Sequence, residues 1–169
     1  MIASCGGRSS SDSGELAGIP DVRRTAVGRA SATYLLAPNL SVGSTLNVDL
    51  LGRGTGLFAT TGIDYRHRLA ARTELQAGVG FTVANATHMN SYYGVPESAR
   101  TATRPVYAPG AGLKDAGVGL TLTTALESRW VAFGSLRYTR LLGDAASSPL
   151  ALRRSDVSAT IGLAWRCCR

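Results

Sequence analysis

The stretch Thr73-Glu74-Leu75-Gln76-Ala77-Gly78-Val79-Gly80-Phe81-Thr82-Val83-Ala84 decides the fold. Leu75, Ala77, Val79, Phe81 and Val83 share one parity; Glu74, Gln76, Gly78, Gly80 and Thr82 share the other. Successive side chains of a strand point to opposite faces, so this run is a strand with one greasy side and one wet side. In a soluble sandwich the greasy side turns inward. In an outer-membrane barrel it turns outward to lipid, and the wet side lines the lumen.

The chain has 169 residues, enough for one domain with a sizeable core. Its mean hydropathy is +0.05. Averaging conceals a two-residue alternation, and barrel strands escape hydropathy averages for that reason. No run of about 18 apolar residues exists, which excludes a membrane-spanning helix. The net charge of +7 is carried by arginine, with Lys114 the single lysine. The arginines scatter over turns and loops (Arg53, Arg68, Arg72, Arg100, Arg153, Arg154) and build no dense basic helix, so no nucleic-acid partner is expected.

Three cysteines, Cys5, Cys167 and Cys168, form no C-x-x-C pair, so no metal site is expected. Ile2-Ala3-Ser4-Cys5 has the look of a lipoprotein cleavage box. Such a box needs a charged region and about 7–15 apolar residues ahead of it, and only Met1 precedes Ile2. The chain therefore reads as lacking a signal peptide.

Residues 1–24 are rich in Ser and Gly and read as a loop segment. Residues 25–169 read as a partial barrel, with strands over 25–36, 40–50, 57–66, 73–84, 116–126, 130–141 and 156–166. Pro38-Asn39 makes a tight turn, and residues 67–72 a second one holding His67. Long loops fall near 85–115 and 143–155. Alternation is weaker over 130–141, where Leu136 and Tyr138 point to the even positions as the apolar face.

About seven strands of roughly 10–12 residues match the length a tilted strand needs to cross a bilayer. Connections alternate between short and long, as in outer-membrane barrels, and the wet faces are rich in Gly, Ser and Thr. Tyr34, Tyr65, Trp130 and Trp165 fall at strand ends beside short turns or the C-terminus, where aromatics form an interfacial girdle. The expected fold class is all-β: an antiparallel up-and-down transmembrane β-barrel, incomplete at about seven strands. Leu75, Val79, Phe81, Ile161, Leu163 and Trp165 are the expected lipid-facing residues, outer-membrane lipid being the first partner. A soluble meander barrel with the faces reversed is the alternative, but its core would rest on the thin small-residue faces.

The search for chemistry returns little. His67 lies beside Arg66 and Arg68, and His88 reads as a solvated loop histidine; Ser91 is near His88, but proximity within a loop makes no catalytic pair. Asp49, Asp64 and Glu74 are expected to face the lumen and pair with Arg66 or Arg29. Gly78 and Gly80 sit mid-strand with no helix following, so they form no phosphate loop. Tyr92-Tyr93 reads as a pair packed on the barrel rim. No catalytic residue, cofactor or metal is expected.

Several ordered blocks carry a family resemblance. They are Met89-Asn90-Ser91-Tyr92-Tyr93-Gly94-Val95, Tyr107-Ala108-Pro109-Gly110-Ala111-Gly112-Leu113-Lys114-Asp115, and Arg137-Tyr138-Thr139-Arg140-Leu141-Leu142-Gly143-Asp144-Ala145-Ala146-Ser147-Ser148-Pro149-Leu150. The close, Gly162-Leu163-Ala164-Trp165-Arg166, is similar to a Gly-Leu-x-Tyr-Arg-Phe ending. On these blocks the chain resembles the MipA/OmpV family of MltA-interacting outer-membrane proteins over nearly its whole length. The motif positions carried over are Tyr92, Tyr93, Gly94, Val95, Gly112, Leu113, Leu141, Leu142, Gly143, Asp144, Ser148 and Pro149. The resemblance implies a non-enzymatic scaffold in the outer membrane of a Gram-negative bacterium, with the lytic transglycosylase MltA and a penicillin-binding protein as partners in peptidoglycan remodelling. A pore for small solutes, or a soluble ligand-binding barrel, are the other readings. Set beside the family, the chain is expected to be N-terminally truncated or mis-started, and Cys167-Cys168-Arg169 replaces the terminal aromatic.

Overall fold

Alternating residues become strands because each pleat sends one side chain to each face, and here the pattern holds across the sheet. A computed structural model describes residues 2–5, 25–126 and 129–165. The elements are β1 (Ile2–Cys5), β2 (Thr25–Ala37), β3 (Leu40–Asp49), β4 (Leu57–Ala70), β5 (Thr73–Ala84), α1 (Ala86–Tyr93), β6 (Gly112–Ala125), β7 (Trp130–Leu141), α2 (Gly143–Ser147) and β8 (Ser155–Trp165), with a short 3-10 turn at Glu97–Ala99. All strands form one antiparallel sheet in sequence order. Seven long strands run up and down, and the sheet is open: among the described residues nothing joins β8 to β1.

Three strands depart from the sequence reading by more than a single residue. Ile2–Cys5, inside the segment read as loop, is a strand paired with Thr25–Gly28; four residues are too few for alternation to show. β4 continues through His67 to Ala70, because Arg66, His67 and Arg68 pair in register with Gln76, Leu75 and Glu74. His67 therefore lies in a strand and stacks on Tyr65, ring centroids 6.3 Å apart. β6 begins at Gly112, with an irregularity in its pairing to β5 that is described below. Cys167 and Cys168 lie outside the described residues.

One face is concave and polar. A cleft of about 350 Å³ is lined from that side by Thr33, Thr45, Asp64, Gln76, Asp115 and Arg137, contributed by six successive strands. The other face is apolar and exposed. Val79 (56%), Phe81, Leu120, Leu136, Ile161 (90%) and Leu163 all lie open there. Leaving six such side chains in water forfeits on the order of 10 kcal/mol, at about 1.5–3 kcal/mol each, as much as a whole domain's stability. The buried apolar residues are few and sit mostly at the loop end (Ala84, Met89, Val95, Ala99, Ala145).

The two hydroxyl pairs on the apolar face satisfy each other. Ser44 meets Thr61 at 3.1 Å, and Thr124 donates to Thr73 at 3.2 Å. Short links at 38–39 and 71–72 lie at one end of the sheet; the longer links 50–56, 85–111 and 142–154 lie at the other.

Candidate functional site

Glycine makes the concave cleft. Gly43, Gly62, Gly80 and Gly117 pair across four neighbouring strands, and Gly78 pairs with Gly119 in the next row. With no side chains the backbones bend together. A Cβ on Gly62 would lie 2.9 Å from the Val79 carbonyl oxygen, and one on Gly117 would lie 2.7 Å from that of Tyr138. Asp64 and Arg137 flank Gly78 and Gly119 in one row. The Gln76 amide donates to the Asp64 carboxylate at 3.0 Å. Thr60 and Thr82 meet at 3.2 Å, Ser31 and Thr45 at 3.1 Å, so the floor is a network of paired hydroxyls.

Asp64 and Arg29, expected in lumen ion pairs, instead take neutral amide partners. Asp64 takes Gln76 as its partner, and the Arg29 Nε donates to the Asn47 side-chain oxygen at 3.0 Å. Asp49 fastens the 50–56 loop, accepting from the Thr25 hydroxyl, from the Leu51 amide at 3.1 Å and from the Thr55 amide at 3.0 Å. Ion pairs join Glu97 to Arg100 and Lys114 to Asp115.

The Lys114–Asp115 pair comes from a bulge. Thr82 pairs with Asp115 and Val83 with Leu113, so Lys114 is the extra residue. A bulge re-aims a side chain, and Lys114 joins Asp115 on the concave side. Its ammonium lies 2.8 Å from the Asp115 carboxylate and 5.9 Å from the centre of the Phe58 ring. The two side chains are only 20% and 14% exposed.

A cap closes the loop end of the concave face. Asn85 starts α1, its side-chain oxygen accepting from the His88 amide at 2.9 Å and from the Leu57 amide of β4 at 3.1 Å. Met89, fully buried, packs with Ala84 and Ala145, and Phe58, Tyr93 and Leu141 close around them. Phe58, Ala84 and Leu141 have concave-face parity, so α1 and α2 sit inside the mouth of the sheet. Gly56 permits the approach: at φ +68° it adopts a left-handed backbone, and a Cβ there would lie 2.6 Å from the His88 amide nitrogen.

His88, read from sequence as solvated, is only 6% exposed. Its ring lies between those of Phe58 (4.8 Å) and Tyr92 (4.7 Å), and its Nδ1 is 2.7 Å from the Thr55 carbonyl oxygen. Burial holds its pKa below the ordinary histidine value; the Thr55 carbonyl pulls the other way. Burial, reinforced by the Asp115 charge, pushes the Tyr93 phenol up.

The motif residues quoted from sequence converge in this cap. The Ser148 hydroxyl donates to the Tyr93 carbonyl at 2.6 Å, and the Asn90 side-chain amide to the Pro109 carbonyl at 2.9 Å. Asp144 accepts from the Gly110 amide at 3.0 Å through its carboxylate and from the Tyr107 hydroxyl at 2.8 Å through its carbonyl. Val95 bridges Tyr107, and Leu150 packs beside them. The Leu142 amide donates to the Lys114 carbonyl at 2.9 Å, and Gly143 turns with φ +51° into α2. Gly94 ends α1, Pro149 is half-buried, and Gly112 and Leu113 open β6. Leu75, Val79, Phe81, Ile161, Leu163 and Trp165 all lie on the convex apolar face, Trp165 directly opposite Trp130. Sequence reasoning missed the Lys114–Asp115 pair and the buried His88; the broken alternation at Leu113-Lys114-Asp115 was the available signal.

No group of three His, Cys, Asp or Glu among the described residues is placed to hold a metal. No helix among them is long and apolar enough to cross a membrane, which says nothing of strands.

An up-and-down sheet with an apolar outside, a polar inside and loops folded into one mouth has the two faces of a barrel wall. The family model described as MltA-interacting protein MipA matches residues 2–167, and the chain belongs to that family. A search of curated proteins found no match.

Proposed function

We propose that this chain is a non-enzymatic β-barrel protein of the Gram-negative outer membrane that serves as a scaffold for peptidoglycan-remodelling enzymes. The observation that carries the membrane reading is the inverted sheet: large apolar side chains cover the convex face while paired hydroxyls and Asp64, Gln76 and Arg137 fill the concave one. Lipid is the apolar phase that would cover such a surface. The partner reading draws on the family description, which names MltA. The docking surface would be the short-turn end, around Pro38 and Arg68, away from the cap. Pull-down with full-length protein in detergent is expected to recover the lytic transglycosylase MltA and a penicillin-binding protein; recovery of neither overturns the scaffold reading.

The polar cleft favours one second reading, a pore for small solutes. Planar-bilayer recording on the complete barrel separates the two, since a scaffold with its mouth capped conducts no steady current.

A further inference from the structure

We propose that α1 is a plug over the loop-side mouth of the concave cleft, latched by His88 and released by acidification. The proposal rests on the barrel reading, which makes the concave face a lumen.

The plug is placed by packing. Met89 and Tyr93 of α1 and Ala145 of α2 press on Phe58, Ala84 and Leu141, which are concave-face positions of β4, β5 and β7. To β4 and the 50–56 loop it is held by the ring contact of His88 on Phe58, the reciprocal Asn85–Leu57 bonds and the His88 bond to the Thr55 carbonyl; Ser148 and Asn90 tie it to neighbouring loops. A segment joined to the sheet by so few bonds can open at a free energy below global unfolding.

His88 is the titratable part of that attachment. As a neutral imidazole its Nδ1–H donates to Thr55, and its faces rest on Phe58 and Tyr92. A proton added to the docked ring creates a cation in a buried site. From β6 it faces Lys114, which repels it, and Asp115, whose attraction is already shared with Lys114 at 2.8 Å. At the end of β3, Asp49 is spent on the Leu51 and Thr55 amides of the 50–56 loop, which also carries Arg53. On α1, burial pushes the Tyr93 phenol up, so it stays neutral in acid. On α2, the Asp144 carboxylate accepts from Gly110. Burial lowers the docked pKa, so the undocked segment binds the proton more readily. Docking is therefore at full strength above the ordinary histidine pKa of about 6.5 and weakens as pH falls below it. The Lys114–Asp115 pair ties the latch to the cleft, because Asp115 also lines the cleft.

The test is amide exchange by mass spectrometry on the full chain in micelles, corrected for intrinsic rates, at pH 7.5 and 5.0. Protection of residues 86–94 is expected to fall at least fivefold at pH 5.0 while that of 73–84 holds. His88→Phe is expected to abolish the pH dependence, and His67→Gln to leave it intact. Unchanged protection in the wild type, or an equal fall in His88→Phe, overturns the proposal. Should His88→Phe not fold, the wild-type imidazole NMR titration decides: with only two histidines in the chain, a His88 midpoint at or above about 6.5 overturns the latch. Flotation with phospholipid vesicles tests the barrel reading separately. Failure to float overturns the lumen, and the exchange data still report whether His88 holds α1.

Discussion

Gly62 and Gly80 stand directly opposite each other on the concave face, so close that a Cβ on Gly80 would lie 3.2 Å from the Gly62 Cα and 2.9 Å from the Thr61 carbonyl oxygen. The curvature of the sheet depends on this contact, because no side chain stands between the two backbones. Gly80→Val is expected to cost about 1–3 kcal/mol through overpacking, read as a lower denaturant midpoint in micelles.

The two faces should respond oppositely to charge. Val79→Arg places a guanidinium on the convex face and is expected to destabilise the bilayer-folded state by about 2–4 kcal/mol if Val79 sits near the membrane midplane. Thr121→Arg, on the concave face, is expected to fold with near-native stability. Equal tolerance of both in lipid-vesicle refolding would remove the case for a lipid-covered convex face.

Asn85 ties the start of α1 to β4 with one oxygen accepting two amides. Asn85→Ala removes the cap at a cost of about 1 kcal/mol. Exchange protection should drop in α1 and not in β4 or β5. Gly56→Ala should produce the same local loss, because its Cβ would meet the His88 amide nitrogen and its backbone is left-handed.

Lys114 and Asp115 form one unit. Lys114→Met leaves the largely covered Asp115 carboxylate without its partner, and Asp115→Asn strands the ammonium. Both singles are expected to destabilise more than the double variant, with a coupling of about 1–3 kcal/mol in a double-mutant cycle. Additive effects in chemical denaturation would mean that the pair contributes nothing as a pair.

At alkaline pH the phenol of Tyr93 carries a second linkage. Its folded pKa is raised by burial, so its contribution is complete below the ordinary tyrosine value of about 10 and fades as pH climbs through the folded one. Ultraviolet titration should show late-ionising tyrosines, Tyr107 among them, and Tyr93→Phe should remove one.

The strands were legible where pleat and solvent agree. Residues 73–84 emerge with the boundaries that alternation assigns, and 130–141 keep their expected bounds although alternation there is weaker. Arg66, His67 and Arg68 have the polarity of a turn, although the ladder to β5 continues past them. β6 was begun too late because Lys114 breaks parity, and a break in parity is what a bulge looks like in sequence. α1 left a weaker trace. Its residues, Ala-Thr-His-Met-Asn-Ser-Tyr-Tyr, include poor helix formers, and it is stabilised by the sheet beneath it. The burial of His88 is not legible from its neighbours in sequence, because Thr55 and Phe58, which meet its ring opposite Tyr92, are distant in the chain.

The solitary lysine gives the molecule a chemical property that no strand pattern conveys. Apart from the α-amino group, the chain offers amine reagents a single target, and that target sits on the bulge, one-fifth exposed and clasped by a carboxylate. Acylation there would erase the positive half of the pair and add bulk beneath the cap, while slow acylation would report that the cap is seated. The rarity of lysine thus turns one position into an intrinsic probe of the mouth, with no label to introduce.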